Sequence, residues 1–174
     1  MITIFTPTYN RAHTLSRLYH SLRRQDCHDF EWLVINDGST DHTNQLFQQW
    51  MSESNYFPIR YHVVENGGKQ RAINKALQWA KGEYFFIVDS DDFLMPDAIT
   101  FIKDAFSTLT DDSSYIGISG IRGGLDGKPL HRIPLIDAAT GYCDATNLER
   151  AKWNLQADMA EVFFTEKLQK YVFP

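Results

Sequence analysis

Segments with the pattern of β-strands alternate with segments of helical periodicity along most of this 174-residue chain. Apolar strand patterns occupy residues 2–5, 30–35, 59–64, 84–88 and 115–121, and apolar residues recur at helical spacing between them. Neighbouring parallel strands need a long crossover connection, and a helix is the usual one. The alternation therefore predicts an α/β fold, a three-layer α/β/α sandwich around a mostly parallel central sheet.

Size and composition limit the classes of protein to which the chain can belong. A length of 174 residues with 43% hydrophobic residues fits one folded domain over residues 1–174. The net charge of −5 argues against a nucleic-acid-binding protein, because such proteins present a basic face. The sequence shows no C-x-x-C motif and no apolar run of about 18 residues, and its first residues predict a strand rather than a signal peptide. We therefore expect a cytoplasmic protein, or one at the inner face of the membrane.

Three carboxylates, Asp89, Asp91 and Asp92, directly follow the fourth strand pattern, and Ser90 lies between the first two. The carboxyl ends of parallel strands form the edge at which α/β sheets bind ligands. If the strand continues, Asp89 and Asp91 lie on one face about 6.5 Å apart, and Asp92 points away. Two carboxylates so placed repel each other unless a cation separates them, and oxygen ligands suit Mg²⁺ or Mn²⁺. The alternative is a polar strand end that caps the next helix.

Polar residues also follow the first strand, in the sequence TPTYNR at 6–11. Proline removes a backbone donor and stiffens the turn that we expect here. The segment's hydroxyls, amides and arginine are suited to face a base, a ribose or a phosphate. The alternative is a turn with Asn10 as a helix cap. The candidate nucleotide-binding residues of this segment are Thr6, Pro7, Thr8, Tyr9 and Arg11, and Asp89 and Ser90 are further candidates after the fourth strand.

The second and third strands end in loops with further candidates. Asp37 follows the second strand, where its carboxylate can accept from a base N–H or a ribose hydroxyl, or form an Asx-turn. The third strand is followed by ENGGK at 65–69, where Gly67 allows close approach of the backbone to a ligand. Lys69 adds a positive charge near a helix N-terminus. The P-loop pattern G-x-x-x-x-G-K-[ST] is absent, and a solvated turn is the alternative.

These four segments together resemble one known family. The ordered set TPTYNR at 6–11, NDGSTD at 36–41, NGGKQRAIN at 66–74 and DSDD at 89–92 is similar to the family 2 glycosyltransferases with the GT-A fold. The resemblance implies inverting transfer of a sugar from a nucleotide sugar, commonly a UDP-sugar, to an acceptor hydroxyl. It also implies a divalent metal, a saccharide or lipid-linked acceptor, and a role in cell-surface polysaccharide biosynthesis.

The resemblance assigns roles within a nucleotide-sugar site: a nucleoside pocket, a base contact, a loop over the nucleotide and a metal. Asp91 would be the main metal ligand, and Asp89 would hold the ribose or the same Mg²⁺ or Mn²⁺ ion. Such an ion neutralises the charge that develops on a diphosphate leaving group. The other residues are Thr6, Tyr9 and Arg11 for the nucleoside pocket, Asp37 for the base and Lys69 for the loop.

The C-terminal part resembles the acceptor side of bacterial members of this family. The stretch 158–168 carries the likeness, but the acidic pair that supplies the catalytic base in those members lies further on. We therefore expect a truncated chain, with a nucleotide-sugar-binding half at 1–120 and a partial acceptor-side half at 121–174. Asp158 is the local candidate for the base; otherwise it positions the donor sugar or the acceptor, or caps a turn.

Two other functions are compatible with the sequence. A haloacid dehalogenase-type phosphatase also places D-x-D after a buried strand, with Asp89 as nucleophile and Asp91 as acid/base. Its motif usually lies near the N-terminus, whereas three strands precede Asp89 here. The second alternative is a nucleotide-sugar-binding module without turnover, because the base lies beyond the chain end. A Rossmann dehydrogenase is disfavoured, since no G-x-G-x-x-G follows the first strand.

Overall fold

The described residues form two compact units. The first unit contains residues 1–118 and 162–174, and the second contains residues 119–161. Within the described part of the chain, no helix is both long enough and apolar enough to cross a bilayer. The division into a nucleotide-sugar-binding half and an acceptor-side half stays a prediction. The computed structural model describes residues 1–109, 114–124, 126, 128–130, 143–150, 152 and 158–174.

Strands and α-helices alternate as far as α4. The strands are β1 (Ile2–Thr8), β2 (Phe30–Asn36), β3 (Ile59–Val63), β4 (Tyr84–Ile87), β5 (Gly117–Gly120) and β6 (Ala160–Phe164). The helices are α1 (Ala12–Arg23), α2 (Thr43–Ser52), α3 (Lys69–Trp79), α4 (Ala98–Thr108) and α5 (Thr165–Leu168).

The strands form one sheet in the order β3-β2-β1-β4-β6-β5. β1 pairs in parallel with both β2 and β4, and β2 pairs in parallel with β3. β6 pairs antiparallel with β4. Because α1, α2 and α3 provide the crossovers between the parallel strands, the predicted α/β class with a mostly parallel sheet is confirmed.

One face of the sheet is covered by α1, α2 and α4 through aromatic packing. Trp32 of β2 is fully buried, and its ring centroid lies 6.1 Å from that of Tyr19 in α1 and 5.2 Å from that of Phe47 in α2. Tyr84 of β4 stacks on Phe106 of α4 at 3.9 Å. Each aromatic pair adds about 0.5–1.5 kcal/mol beyond the burial of its area, so these contacts hold the three helices to the sheet.

The opposite face is covered by α3. Phe5 of β1 and Phe85 of β4 stack with their ring centroids 5.5 Å apart, and both are fully buried. Helix α3 meets them with an apolar stripe at the spacing that puts residues on one helix face. Because α3 lies against the sheet, its N-terminal residues are held at the carboxyl edge of the sheet. The stripe consists of Ala72, Ile73, Ala76 and Leu77.

The second unit has little regular structure among its described residues. Gly123 and Pro129 form an isolated antiparallel bridge. A 3₁₀ turn spans Asn147–Glu149, and a capping box between Thr146 and Glu149 satisfies its first amides.

Candidate functional site

Four loops begin where the parallel strands end, and all belong to the first unit. Thr8 lies opposite Asn36, and Asn36 lies opposite Val63, so β1, β2 and β3 end at the same level. This carboxyl edge is where open α/β sheets bind ligands. We call these loops the edge loops, numbered in chain order: residues 9–11, 37–42, 64–68 and 88–97.

Asn10 joins the first edge loop to the second. Its backbone amide donates to the Ser39 hydroxyl at 2.9 Å, and its Oδ1 accepts from the backbone amides of Thr40 at 2.8 Å and Asp41 at 3.3 Å. Asn10 has a φ of 53°, a left-handed conformation that asparagine tolerates better than most residues. It is not the N-cap of α1, which is Arg11. Asn10 therefore fixes the backbone between Tyr9 and Arg11.

Asp41, in the second edge loop, also bonds to the backbone that follows the first edge loop. Its Oδ2 accepts from the Ala12 backbone amide at 3.0 Å, and its Oδ1 accepts from the Thr43 hydroxyl at 2.6 Å and the Thr43 amide at 3.1 Å. Burial alone would raise the pKa of Asp41, but these hydrogen bonds outweigh burial and lower the pKa below its usual value. The carboxylate of Asp41 therefore links the first turns of α1 and α2 through hydrogen bonds.

Asp37 joins the second edge loop to the third. Its carboxylate is buried and accepts from the backbone amides of Gly67 at 2.9 Å and Gly68 at 2.8 Å. Asn66 donates from its side chain to the Asp37 carbonyl oxygen at 2.9 Å. Gly68 has a φ of +90°, which side-chain-bearing residues rarely adopt. Asp37 therefore sets the path of the glycine loop that leads to Lys69, whereas its contact with a base stays a prediction.

A cleft of about 200 Å³ opens between the second and third edge loops and helix α3. Its lining includes the acidic side chains of Asp37 and Glu65 and the basic side chains of Arg71 and Lys75 in α3. The sequence-based site did not include Arg71 or Lys75. Their positions at i+2 and i+6 from Lys69, on a helix that begins at that residue, were the available signal. The mixed charges make this cleft suited to a polar ligand with an anionic part.

The acidic segment after β4 forms a turn. β4 ends at Ile87, residues 90–91 are in a turn, and the Asp92 amide donates to the Asp89 carbonyl oxygen at 3.0 Å. The prediction that Asp89 and Asp91 project from one face of an extended strand is therefore wrong. The turn is favoured because the next segment must leave the sheet toward α4. Ser90 is buried in it, while the carboxylates of Asp89 and Asp91 are partly exposed.

Three basic side chains converge on this acidic turn. Lys69 Nζ lies 2.6 Å from Asp89 Oδ1, and an Arg11 guanidinium nitrogen lies 3.9 Å from Asp91 Oδ2. Arg17 of α1 donates to the Asp91 carbonyl oxygen. The fourth edge loop is thus linked to the first through Arg11 and, through Lys69, to the helix that follows the third. Arg17 was not among the predicted site residues, because its partner lies 74 residues away in the sequence.

The predicted nucleotide-binding residues of β1 have different environments. β1 continues through Thr8, so Pro7 is paired in the sheet opposite Ile35, and the expectation that it stiffens a turn is wrong. Thr6 is fully buried and accepts a hydrogen bond from the Trp32 indole at 3.0 Å. Thr8 is also buried, but its hydroxyl has no hydrogen-bond partner within the described structure. Tyr9, by contrast, is exposed.

The oxygen atoms of the acidic turn suit a hard divalent cation. Mg²⁺ and similar ions are commonly held by one or two carboxylates together with waters and substrate phosphates. Asp89 and Asp91 provide such a pair, at the edge where a ligand binds. Among the residues that the structure describes, no three His, Cys, Asp or Glu side chains are grouped to hold a metal by themselves. The donor set therefore fits an ion that is completed by a bound diphosphate.

Asp158 lies in the second unit and forms an ion pair with Arg122 of the same unit. Glu161, which is also in this unit, pairs with Arg150 at 3.1 Å. The role of Asp158, as base or in positioning the donor sugar or the acceptor, stays a prediction.

Most of the chain matches the model of a known protein family. A model of the family described as "Glycosyl transferase family 2" matches residues 3–164. The chain is 37% identical over 109 residues to the chondroitin synthase of Pasteurella multocida, a match that covers 60% of this chain and 11% of that protein. It is 32% identical over 127 residues to the poly(ribitol-phosphate) beta-N-acetylglucosaminyltransferase TarS of Staphylococcus aureus, covering 70% of this chain and 21% of TarS.

Solved structures give the same fold. The crystal structure of S. aureus TarS 1-349 in complex with UDP aligns with a TM-score of 0.72 and 22% identity, over 97% of this chain and 48% of that chain. The mannosyltransferase PcManGT from Pyrobaculum calidifontis, in complex with GDP-Man and Mn²⁺, aligns with a TM-score of 0.60 and 28% identity, over 70% of this chain and 35% of that one.

The chain thus spans between 11% and 21% of the length of these two curated relatives. None of these matches supports the dehalogenase-type phosphatase that the D-x-D pattern left open. The predicted resemblance and the predicted fold are confirmed. The chain belongs to glycosyl transferase family 2.

Proposed function

We propose that this chain binds a nucleotide-diphosphate sugar at the edge loops and transfers the sugar, with inversion, to an acceptor hydroxyl. The observation that carries the proposal is the convergence of Arg11, Arg17 and Lys69 on the acidic turn at Asp89 and Asp91. A diphosphate needs both positive side chains and, commonly, a divalent ion. The three basic side chains meet the first requirement, and the carboxylates of Asp89 and Asp91 are ligands for such an ion, at the ligand-binding edge of the sheet.

The nucleoside end of the donor is assigned to the first two edge loops and the cleft beside them. The unpartnered hydroxyl of buried Thr8 gains a hydrogen bond if a ribose or base reaches it, which removes the cost of an unsatisfied polar group. Exposed Tyr9 provides an aromatic surface for stacking. Asp37 lines the cleft and keeps carboxylate lone pairs beyond those used by the glycine amides.

The diphosphate end is assigned to the acidic turn. Asp91 and Asp89 would hold Mg²⁺ or Mn²⁺, and the ion would offset the negative charge that grows on the leaving diphosphate. Arg11 and Lys69 reach the same place and add hydrogen bonds to phosphate oxygens. The Mn²⁺ in the PcManGT structure supports the choice of a divalent ion.

A uridine diphosphate sugar is the proposed donor. The solved TarS structures include one with UDP and one with UDP-GlcNAc, and they align over 97% of this chain. The proposed acceptor is a saccharide or a lipid-linked molecule with a free hydroxyl group. Both relatives described above are named for hydroxyl-bearing polymers, chondroitin and poly(ribitol-phosphate).

Binding without turnover is the second candidate, and one observation favours it. Asp158, the local candidate for the base, is paired with Arg122. Transfer requires a base near the acceptor hydroxyl, and that group contributes about 10²–10⁴-fold to the rate. A chain whose local candidate for the base is engaged in an ion pair would bind the donor but turn over slowly.

Thermal unfolding with a panel of nucleotides tests the proposed function. UDP, GDP, ADP and UMP are added to the full chain with and without Mn²⁺, at concentrations far above the expected dissociation constant. A ligand at 100 times its dissociation constant stabilises by about 2.7 kcal/mol, which is a Tm rise of about 5–10 °C for a chain of this size. We expect the largest rise with UDP and Mn²⁺ together, and a smaller one with UMP.

No rise with any nucleoside diphosphate, in the presence or absence of metal, would overturn the proposal. A rise with UDP and Mn²⁺ is then followed by incubation with UDP-GlcNAc and a saccharide acceptor. Product formation supports the transferase, whereas binding without product supports the second candidate.

A further inference from the structure

Each carboxylate that we assign to the metal already has a cation beside it. Lys69 Nζ lies 2.6 Å from Asp89 Oδ1, and the Arg11 guanidinium lies 3.9 Å from Asp91 Oδ2. These cations come from residues that follow β3 and β1, whereas the acids follow β4. The pairing therefore depends on the tertiary fold, and it places one positive side chain beside each of the two carboxylates Asp89 and Asp91.

A divalent ion at Asp89 would have to approach a site that Lys69 already neutralises. The ion would lie within a few ångströms of the lysine ammonium, and like charges at such distances repel. Asp89 alone therefore offers little net attraction to free Mg²⁺ or Mn²⁺. A diphosphate changes this balance, because its oxygens can receive the lysine while the ion takes the carboxylate.

The contacts allow such an exchange of partners. The side chains of Lys69 and Asp89 are 50% and 38% exposed, so neither is locked by packing. Exposed ion pairs contribute roughly 0–1 kcal/mol, so this one is readily broken. Lysine is a flexible point charge on a four-carbon stem, which can turn from a carboxylate to a nearby phosphate without movement of the backbone.

We propose that Lys69 is an exchangeable counterion: it neutralises Asp89 when no nucleotide is bound and transfers to the diphosphate when the metal and nucleotide bind. This inference rests on the proposed function and adds a rule for how the site is filled. Metal and nucleotide then bind cooperatively, and each raises the affinity for the other by the same factor, as linkage requires. The pairing also disfavours capture of free metal without donor.

A purely structural ion pair makes a different prediction. If Lys69 only braces the fourth edge loop, its removal lowers stability and weakens or leaves unchanged the binding of both ligands. The exchange predicts effects of opposite sign, with free metal bound more tightly and the nucleotide bound more weakly. The sign of the change in metal affinity therefore separates the two roles.

The test uses the full chain carrying Lys69→Met, which keeps the length of the side chain and removes its charge. Free Mn²⁺ is followed by electron paramagnetic resonance, and UDP binding with and without Mn²⁺ by calorimetry. We expect Mn²⁺ alone to bind about threefold to fivefold more tightly, the range that corresponds to loss of an exposed charge interaction. We expect UDP in the presence of Mn²⁺ to bind at least several-fold more weakly.

Two further variants serve as controls. Lys81→Met removes the same charge from an exposed residue just before β4, at the opposite edge of the sheet, and should change neither affinity. In the Asp89→Asn background, Lys69→Met should no longer tighten Mn²⁺ binding, because the carboxylate that the lysine neutralises is gone. Equal melting temperatures of Lys69→Met and Lys81→Met would show that the fold is not the cause.

An unchanged or weaker affinity of Lys69→Met for Mn²⁺ alone overturns the exchange, and so does unchanged UDP affinity. Both results leave the proposed function standing as long as the wild-type chain binds UDP with Mn²⁺. Failure of the wild type to bind UDP under any condition overturns both the proposed function and this inference.

Discussion

The carboxylate of Asp37 accepts a hydrogen bond from the backbone amide of Gly68 at 2.8 Å, across 31 positions of sequence. This contact, with its neighbour at Gly67, makes one buried side chain responsible for the shape of a loop on another strand. Asp37 thus acts on the site through the backbone as well as through any contact with the ligand.

Replacement of Asp37 by alanine should therefore affect both stability and binding. Two partly buried amides lose their acceptor, and each unsatisfied group costs about 1–3 kcal/mol. We expect the free energy of unfolding to fall by roughly 2 kcal/mol. For a chain of this size, each kcal/mol lowers Tm by about 2–4 °C, so Tm should fall by about 4–8 °C. We also expect weaker UDP binding. The exposed Asp26, which accepts from Thr100, provides the control. Asp26→Ala should change Tm by less than 2 °C, and equal melting of the two variants would contradict the role given to Asp37.

Replacement of Asn10 by glycine tests the junction of the first two edge loops. Glycine adopts a φ of 53° without strain, so the backbone conformation stays accessible. The variant removes the side-chain oxygen that accepts from the amides of Thr40 and Asp41. We expect the free energy of unfolding to fall by about 1 kcal/mol. We also expect a several-fold weaker affinity for UDP, because Tyr9 and Arg11 lose their fixed positions. Calorimetry with UDP and Mn²⁺ measures the effect.

Gln48→Gly is the matched control for that experiment. Gln48 is exposed on α2, and a glycine inside a helix costs about 1 kcal/mol. The control therefore has a similar stability and should retain full UDP affinity. A similar loss of affinity in both variants would mean that general destabilisation, and not the junction, lowers binding.

Alanine at Gly82 should strongly destabilise the fold. A Cβ atom there would lie 2.3 Å from the backbone nitrogen of Thr3 in β1, which no rotamer change can relieve. Overpacking of this kind costs typically about 1–3 kcal/mol, and we expect the upper end. At Gly120 the nearest atom to an added Cβ lies 3.9 Å away, so Gly120→Ala should stay within about 0.5 kcal/mol of the wild type. Urea unfolding of both variants measures the difference, and equal midpoints would refute the close packing.

The lowered pKa of Asp41 predicts an acid-dependent part of the stability. A carboxyl group with a folded-state pKa below its unfolded value of about 3.9 contributes stability that is fully present above that pH. The contribution is lost as the pH falls from about 4 through the folded-state pKa. Asp41→Asn should therefore be less stable than the wild type at pH 7, and the gap should narrow by pH 3. Urea midpoints across this range provide the measurement; a gap that stays constant with pH would contradict it.

The alternating strands and helices of the fold could be predicted from the sequence, because the spacing of apolar residues along the chain differs between strands and helices. The strand β4 is a continuous apolar and aromatic run, and β1, β2 and β3 are rich in β-branched and aromatic residues. Helix α3 carries Ala72, Ile73, Ala76 and Leu77 at helical spacing. The insertion of β6 between β4 and β5 could not be predicted in this way. Its residues show only that it is a strand, and the choice of neighbour depends on antiparallel pairing with a segment about 80 positions away.

The site shows the same division between local and long-range information. The candidate residues followed from strand ends, which are local features. The partner of each residue did not, since Asn10 pairs with Thr40, Asp37 with Gly68, and Lys69 with Asp89. The acidic turn was misread as an extended strand because the sequence alone does not show where pairing with β1 stops.

Calorimetric titration of UDP into the full chain, with and without Mn²⁺, is the most direct measurement of the central claim that the acidic turn binds a metal-bound diphosphate. The wild type is compared with Asp91→Asn and with Asp104→Asn, which makes the same change at an exposed position of α4. We predict that Mn²⁺ tightens UDP binding at least tenfold, about 1.4 kcal/mol, in the wild type and in Asp104→Asn, and that Asp91→Asn loses this gain. A gain from Mn²⁺ that is undiminished in Asp91→Asn would contradict the claim.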